Sequence, residues 1–193
     1  MLLTLMRHGL PEYNAADRRD PGLAAEGVDQ VRAVIPYARA RGYDAIYTSP
    51  QLRAVQSAAV VAEALGLPVA VDEGLVEFDH GTDYVHYDNL DAEIWQRYRA
   101  GDLSPWGLTS KKFHGRIAGA MQRLAAAHPG GRVLAVCHGG VVNAWTCQVL
   151  GVPDRLRVFE PGYASWHHFE FTAGGWSLLG LNEVAHELPR QAI

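Results

Sequence analysis

Short apolar runs alternate with longer amphipathic stretches along most of this chain, a pattern typical of alternating strands and helices. The short runs predict strands at Leu2–Met6, Asp44–Thr48, Val69–Val71 and Arg132–Cys137. Stretches with apolar residues at helical spacing predict helices at Leu23–Ala40, Leu52–Leu65, Leu90–Arg99, Phe113–Ala127 and Val141–Leu150. Pro36 lies inside the first of these helices and is expected to kink or shorten it.

Two late apolar runs, Ser165–Phe171 and Trp176–Leu181, flank a glycine-containing turn and predict a hairpin at an edge of the sheet. Strands that alternate with helices favour an α/β fold, because crossover helices cover both faces of a parallel sheet. We therefore expect a three-layer α/β/α sandwich whose mostly parallel, doubly wound sheet has an antiparallel edge near the C-terminus. The length of 193 residues fits one domain, 1–193, in which the irregular, aromatic-rich segment 78–115 is expected to cover the substrate.

The charge balance makes nucleic acid an unsuitable partner. Lys and Arg total 17 against 21 Asp and Glu, so the net charge is −4 and no broad basic surface is available. A bound anion must then be held by a few local cations, and nearly all of these are arginines, which suit phosphate oxygens better than lysines do. The two cysteines match neither a disulfide framework nor a metal-ligand spacing. Because no signal peptide or membrane-spanning run is recognisable, we expect a cytoplasmic protein that does not contact membranes.

The first strand ends in a cation, an imidazole and a glycine, Arg7-His8-Gly9. Open α/β proteins bind their ligands at the carboxyl ends of buried strands. An arginine there can hold an anion through two parallel hydrogen bonds, and a histidine can act as nucleophile or proton carrier. The glycine allows the backbone to turn sharply or to approach a ligand closely.

A second segment repeats this design, since the strand Arg132–Cys137 runs into His138-Gly139-Gly140. If the two strands are neighbours, both imidazoles point into one crevice. The second histidine also opens a helix, whose free N–H groups form a site for an anion.

A third segment adds a cation at the same edge of the sheet. Ser49 directly follows the second strand and is suited to cap the next helix, and Pro50 suits its first turn. Arg53 then lies at a helix N-terminus, against the helix dipole, and a bound anion would reverse the sign of that penalty.

A fourth segment, Leu75 to Gly81, carries two carboxylates on a loop after the third strand. Cleavage of a phosphate ester requires a proton for the leaving oxygen, and a partly desolvated carboxyl group near an anion can supply it. Glu77 and Asp79 have the same parity on an extended segment, so their spacing does not choose between them.

Together these segments resemble the histidine phosphatase superfamily, also called phosphoglycerate mutase-like. The resemblance rests on Arg7-His8-Gly9, on Ser49-Pro50 with Arg53-Ala54 and Gln56, on Leu75-x-Glu77 with Gly81, and on Cys137-His138-Gly139-Gly140. It extends to the closing segment, where Leu181-Asn182-Glu183 is followed by His186 and Leu188.

The resemblance implies a mechanism as well as a fold. His8 would attack phosphorus to form a transient phosphohistidine, and Glu77 would be the general acid and then the base; it is preferred to Asp79 only on the family's position. The phosphate or substrate would be bound by Arg7, Asn14, Arg53, His138 and Gly139. Such a site requires no metal ion and no other cofactor, because guanidinium and imidazole groups supply the charge.

The sequence departs from the family pattern at Leu10-Pro11, where many members have Glu-Thr or a similar polar pair. We expect a phosphomonoester hydrolase acting on a small phosphorylated metabolite. One alternative is a cofactor-dependent phosphoglycerate mutase, although such enzymes are generally longer between the third strand and the second histidine. The other is a phospho-ligand binding or regulatory module with weak turnover.

Other chemically suggestive residues are better explained by structure. Cys137 is expected to be a buried thiol, the neighbours His167 and His168 to face apart on a strand, and Lys111-Lys112 to be a solvated pair. A set of aromatic residues is compatible with either a substrate lid or ordinary packing: Tyr84, Tyr87, Trp95, Tyr98 and Trp106. This aromatic segment and the C-terminal hairpin are each compatible with a homodimer.

Overall fold

A computed structural model describes residues 1–84 and 91–185 of the chain. Within them the strands are β1 (Leu2–Arg7), β2 (Ala45–Thr48), β3 (Val69–Val71), β4 (Arg132–Cys137), β5 (Trp166–Thr172) and β6 (Gly175–Glu183). They form one six-stranded sheet in the order β3-β2-β4-β1-β5-β6. β3, β2, β4 and β1 are parallel to one another, whereas β5 and β6 add the antiparallel edge. This confirms the expected α/β sheet with its C-terminal hairpin.

The helices of the described residues are α1 (Ala25–Ala33), α2 (Ile35–Arg41), α3 (Leu52–Leu65), α4 (Ala92–Arg99), α5 (Ser110–Ala127) and α6 (Gly139–Val149). They pack on both faces of the sheet and bury two apolar clusters. Alternate residues of β4 enter different clusters: Val133 and Ala135 pack with α5 and α6, while Leu134 and Val136 pack with α1, α2 and α3. Within residues 1–84 and 91–185, no helix is both long and apolar enough to cross a membrane.

Two helices differ in their bounds from those predicted from the apolar spacing. The helix predicted over Leu23–Ala40 is two helices that meet at Val34, and Pro36 lies in the first turn of α2, where a missing N–H costs little. α5 begins before Phe113 because the Thr109 hydroxyl accepts the Lys112 N–H and caps it.

The remaining predicted helices differ less. α6 begins at Gly139, two residues earlier than predicted. α4 begins at Ala92, after Asp91 has capped its first N–H groups, and Leu90 lies outside the described residues.

The segment 78–115 is attached to the core through aromatic packing. Phe78 lies at its centre, with ring centroids 4.8 Å from Trp106, 5.0 Å from Tyr98 and 5.9 Å from Phe113. Tyr98 is almost fully buried, so part of this aromatic set serves packing. Tyr87 lies outside the described residues, and the covering role of the segment stays a prediction.

The structural roles expected for Cys137, for the two neighbouring histidines and for the lysine pair agree with their surroundings. Cys137 is buried in the core beneath α5 and α6, and burial raises the pKa of its thiol far above the usual value. His167 contacts Ser165, while its neighbour His168 contacts Thr4 instead. Lys111 and Lys112 are exposed at the start of α5.

Candidate active site

The two predicted histidines lie side by side at the carboxyl edge of the sheet. β1 and β4 are parallel neighbours paired from Leu2 to Arg7, so His8 and His138 leave the sheet together. Their ring centroids are 5.1 Å apart, and both side chains are buried. The expected convergence of two remote imidazoles is therefore confirmed.

The hydrogen bonds of His8 define its tautomer. Its Nδ1 lies 2.7 Å from the carbonyl oxygen of Gly9, which can only accept, so Nδ1 carries the proton. Its Nε2 accepts a 3.3 Å hydrogen bond from Nε of Arg53. Burial, together with the charges of Arg53 and Arg7, lowers the pKa of His8 well below its usual value. The ring is thus neutral, and the lone pair of Nε2 faces the arginine.

In His138 the hydrogen-bonded nitrogen is Nε2, which lies 2.8 Å from the Ser49 hydroxyl, whereas the buried Nδ1 has no hydrogen-bond partner among the described residues. Ser49 accepts the backbone N–H of Gln51, so its own proton is available to Nε2 of the imidazole. Burial, followed by the charge of Arg53, lowers the pKa of His138 as well. When Nε2 accepts the Ser49 proton, a neutral His138 presents an Nδ1–H donor.

Ser49 was expected to cap the following helix. The N-cap of α3 is Gln51, and the first helical N–H, that of Leu52, is bonded to the side chain of Asp20 at 2.9 Å. Ser49 is instead hydrogen-bonded to His138, because the helix begins at Leu52, three residues after it.

Arg53 is buried in the first turn of α3, as expected. Its Nη2 donates to Asp79 at 3.3 Å, and its guanidinium lies 4.8 Å from the ring centroid of Tyr84. Its Nη1 is buried and has no hydrogen bond to the described part of the chain, with a carboxylate oxygen of Asp20 4.0 Å away. This group is available to an anion beside His8.

Arg7 enters from the end of β1. One of its terminal nitrogens donates to the carbonyl of Pro161, and its guanidinium lies 4.0 Å from the ring centroid of Tyr163. Its side chain and that of Arg53 both lower the pKa values of the two histidines, so both charges act on the same small volume.

The surroundings of Glu77 and Asp79 distinguish the two candidate acids, which their spacing along the chain did not. Its carboxylate oxygens accept the N–H of Gly140 at 2.7 Å and that of Phe78 at 3.0 Å. Burial, and then the charge of Asp79, raise the pKa of Glu77 to about 7. Asp79 instead faces Arg53 and Gln51, so the two carboxylates have different partners.

Two glycines at the site are required by close approach. A Cβ at Gly140 would lie 2.3 Å from a carboxylate oxygen of Glu77. A Cβ at Gly9 would lie 2.3 Å from the carbonyl oxygen of Gly27, at the point where α1 packs against the loop after β1. In both places a side chain would displace a group that the site depends on.

Asn14 and Gly139 are less closely tied to this cluster. Asn14 is exposed after the Leu10-Pro11 segment, and its backbone N–H donates to Glu12. Gly139 lies in the first turn of α6, where its carbonyl accepts the Asn143 side chain at 3.2 Å. Their assignment to substrate binding stays a prediction.

Sequence reasoning missed several residues that build the site. Gln51 is buried and joins the backbone N–H of Glu77 to the Asp79 carboxylate. Arg116 on α5 donates to the backbone carbonyls of Val76 and Glu77, which places another cation behind the acid. Arg116 could have been noticed as a charged residue on the apolar face of a predicted helix. The role of Gln51 depends on the path of the loop that carries Glu77 and Asp79, and the sequence does not reveal that path.

This arrangement suits a tetrahedral anion. The guanidinium groups of Arg7 and Arg53 and the imidazole of His138 lie near the unprotonated nitrogen of His8. The carboxyl group of Glu77, which can carry a proton near neutral pH, belongs to the same site. A bound dianion would favour the charged imidazoles and so raise both histidine pKa values.

Comparisons with known proteins agree with this geometry. The family model of the histidine phosphatase superfamily (branch 1) matches residues 3–184. A Cronobacter sakazakii protein named "Probable phosphoglycerate mutase GpmB" is 29% identical over 199 residues, which cover 94% of this chain and 93% of that protein. "Uncharacterized phosphatase PhoE" of Bacillus subtilis is 26% identical, with 94% of each chain covered.

Solved structures share the fold over nearly the whole chain. A mycobacterial glucosyl-3-phosphoglycerate phosphatase in complex with VO3 superposes with a TM-score of 0.78 at 26% identity, covering 94% of this chain and 98% of that one. A phosphoserine phosphatase mutant from Entamoeba histolytica in complex with phosphoserine has a TM-score of 0.80 at 23% identity, covering 97% and 99%.

Proposed function

We propose that this chain, which belongs to branch 1 of the histidine phosphatase superfamily, hydrolyses a small phosphate monoester through a phosphohistidine on His8. The observation that carries the proposal is the tautomer of His8. Its Nε2 is unprotonated and is held by Arg53 among groups suited to a phosphoryl anion. Membership of a superfamily of phosphatases supports the same reaction class.

In the first step, Nε2 of His8 forms a bond to phosphorus as the bond from phosphorus to the ester oxygen breaks. Glu77 gives its proton to that oxygen, so the product leaves as an alcohol. Arg7, Arg53 and the Nδ1–H of His138 bind the non-bridging oxygens as their charge redistributes.

In the second step, a water molecule attacks the phosphohistidine. Glu77, now ionised, takes a proton from this water, the nitrogen–phosphorus bond breaks, and His8 returns to its neutral form as phosphate is released. A pKa of about 7 suits both roles, because neither proton transfer is strongly uphill near neutral pH. The residues supply this charge and proton transfer themselves, so we expect turnover without a metal ion.

A phosphoglycerate mutase is the second candidate, because several relatives carry that name. Chain length does not separate the two activities, since relatives named mutase and phosphatase are both covered over more than nine-tenths of their length. A mutase must return the phosphoryl group to its substrate, whereas a phosphatase must admit water.

A phosphate-release assay over a panel of metabolite monoesters, with EDTA present, tests the proposal. Release of phosphate with an acid-labile, alkali-stable phosphoryl group trapped on His8 is expected. Conversion of 3-phosphoglycerate to its 2-isomer without net hydrolysis would establish the mutase instead. Binding of inorganic phosphate without any turnover would establish a binding module and overturn the proposal.

A further inference from the structure

One short turn contacts both Arg7 and His8. The turn comprises residues 161–165, between α6 and β5. The carbonyl of Pro161 accepts from the Arg7 guanidinium, and the carbonyl of Ser165 accepts the Arg7 backbone N–H at 3.0 Å. The N–H of Ala164 donates to the His8 carbonyl at 3.1 Å. This turn therefore holds the backbone and side chain of the residues that would receive the phosphoryl group.

Backbone strain occurs in this turn and at a residue that is hydrogen-bonded to it. In residues 1–84 and 91–185, the non-glycine residues with positive φ are Ala164, at 53°, and Asn182, at 58°. An L-residue in this region is disfavoured by its Cβ, and alanine has no side-chain hydrogen bond to offset that cost. Asn182 lies on β6, and its side-chain oxygen accepts the N–H of Gly162 at 2.8 Å. Both strained residues thus belong to, or support, the 161–165 turn.

The strained turn presents Tyr163 to the site. The Tyr163 ring lies with its centroid 4.0 Å from the Arg7 guanidinium carbon and 5.9 Å from the centroid of the His8 ring. Tyr84 lies in the same way over Arg53, at 4.8 Å. The Tyr163 and Tyr84 side chains lie close enough to affect each other's pKa, and burial raises the pKa of both, so both rings are neutral.

We propose that Tyr163 is a positioning residue for phosphoryl binding. Its ring fixes the plane of the Arg7 guanidinium, and its contact with Tyr84 ties that plane to the orientation of Arg53. The hydrogen bond that Asn182 accepts from Gly162 maintains the turn that aims the ring and offsets the strain at Ala164. This inference rests on the proposed function only in taking the bound anion to be a phosphoryl group.

The ring, rather than the hydroxyl, carries this role. A cation over an aromatic face is held by the ring quadrupole, which phenylalanine also provides. Replacing Tyr163 by leucine removes the quadrupole but keeps an apolar side chain of moderate size. The two substitutions therefore separate ring stacking from direct hydrogen bonding to substrate and from simple filling of space.

The test compares Tyr163→Phe, Tyr163→Leu and the exposed control Tyr37→Leu by calorimetric titration with inorganic phosphate. We expect Tyr163→Leu to weaken phosphate binding about 5- to 30-fold, and the other two to stay within about threefold of the unchanged protein. All three should keep circular dichroism spectra and melting temperatures close to those of the unchanged protein. Unchanged binding by Tyr163→Leu, or an equal loss in Tyr163→Phe, would overturn the inference.

A second pair of variants tests the turn itself. Asn182→Gly keeps the positive φ accessible but removes the acceptor for Gly162, whereas Asn182→Asp keeps an acceptor. We expect phosphate binding to weaken severalfold in the glycine variant and to be restored in the aspartate variant. Equal binding by both variants and the unchanged protein would contradict the role of the turn.

Because these titrations need no turnover, they separate the two proposals. If the unchanged protein binds phosphate but hydrolyses nothing, the hydrolase proposal fails while the Tyr163 series still decides the inference. If hydrolysis is found and Tyr163→Leu binds phosphate normally, the inference fails and the hydrolase proposal stands.

Discussion

β1 and β4 each end in a histidine followed by glycine, yet the two imidazoles meet opposite partners. Nδ1–H of His8 donates a hydrogen bond to the carbonyl oxygen of its neighbour Gly9, and Nε2 accepts one from Arg53. Nε2 of His138 is hydrogen-bonded to the Ser49 hydroxyl, and Nδ1 has no partner among the described residues. One ring therefore offers a lone pair and the other offers an N–H.

The contrasting partners come from a single short segment. Ser49 and Arg53 are four residues apart, on the turn between β2 and the start of α3. Since β2 lies beside β4 in the sheet, this turn reaches both histidines from one side. The difference between the histidines therefore depends on the segment that follows β2 as well as on the Gly9 carbonyl beside His8.

Alanine substitutions of the two histidines should reduce hydrolysis the most, and to different extents. His8→Ala should reduce hydrolysis to background and prevent phosphoenzyme formation, because no other nucleophile replaces Nε2. His138→Ala should lower kcat about 10²–10³-fold and still form a phosphoenzyme, because it loses one oxygen donor. Steady-state assays and acid–base stability of the trapped phosphoryl group measure both, with His128→Ala as the control. A phosphoenzyme in His8→Ala but not in His138→Ala would reverse the assigned roles.

A somewhat smaller loss of activity is expected from substituting Gly140, the second glycine after His138, which has no counterpart after His8. Gly140→Ala places a Cβ against the Glu77 carboxylate and displaces it from the N-terminus of α6. We expect kcat to fall about 100-fold, within the range of general acid catalysis. Gly115→Ala on α5 is the matched control, because its added Cβ meets nothing within 4 Å. Equal activity of the two variants would show that Glu77 does not need this position.

The hydroxyl that orients His138 provides a more moderate test. Ser49→Ala removes the partner of Nε2 and leaves the tautomer of the imidazole undefined. We expect a loss of about tenfold in kcat/KM, comparable to one hydrogen bond to a neutral group. Nitrogen chemical shifts of the histidine rings report the tautomer directly, and Ser177→Ala on the exposed part of β6 serves as control. A fully retained Nδ1–H tautomer in Ser49→Ala would contradict the role of the hydroxyl.

A substitution beside Glu77 should change activity least, and mainly through the pH dependence of kcat. The first proton transfer requires protonated Glu77, so kcat should fall as pH rises through its pKa of about 7. Asp79→Asn removes a negative neighbour that favours the protonated form, so the pKa of Glu77 decreases and the alkaline limb moves to lower pH. The pH profile of kcat, compared with that of Asp83→Asn, measures the shift. An alkaline limb that moves to higher pH would exclude Glu77 as the titrating acid.

Much of the framework was predictable because its signals are local. α3 has the predicted bounds, Leu52–Leu65, because Gly66 follows its last turn in a left-handed conformation. β4 also has its predicted bounds, since apolar residues continue to the polar His138. The first helix was predicted as one element because its apolar spacing continues across Val34, although the backbone there begins a new helix.

The choice between Glu77 and Asp79 illustrates what local signals do not contain. Their parity on the chain is the same, and only the resemblance to a family favoured Glu77. In the structure the loop brings Glu77 to the N-terminus of α6 and Asp79 to Arg53. Those partners are 63 and 26 positions away along the chain, so no window of sequence contains both.

The residues at the ends of the central strands could be identified from local patterns, because strand periodicity and the glycines that follow are properties of neighbouring positions. Three further properties emerge only in the folded chain: which nitrogen of each histidine is free, which carboxyl group carries a proton near neutral pH, and which ring contacts Arg7. These properties depend on desolvation and on hydrogen-bond partners, and both are supplied by segments that meet only when the sheet and its helices have packed.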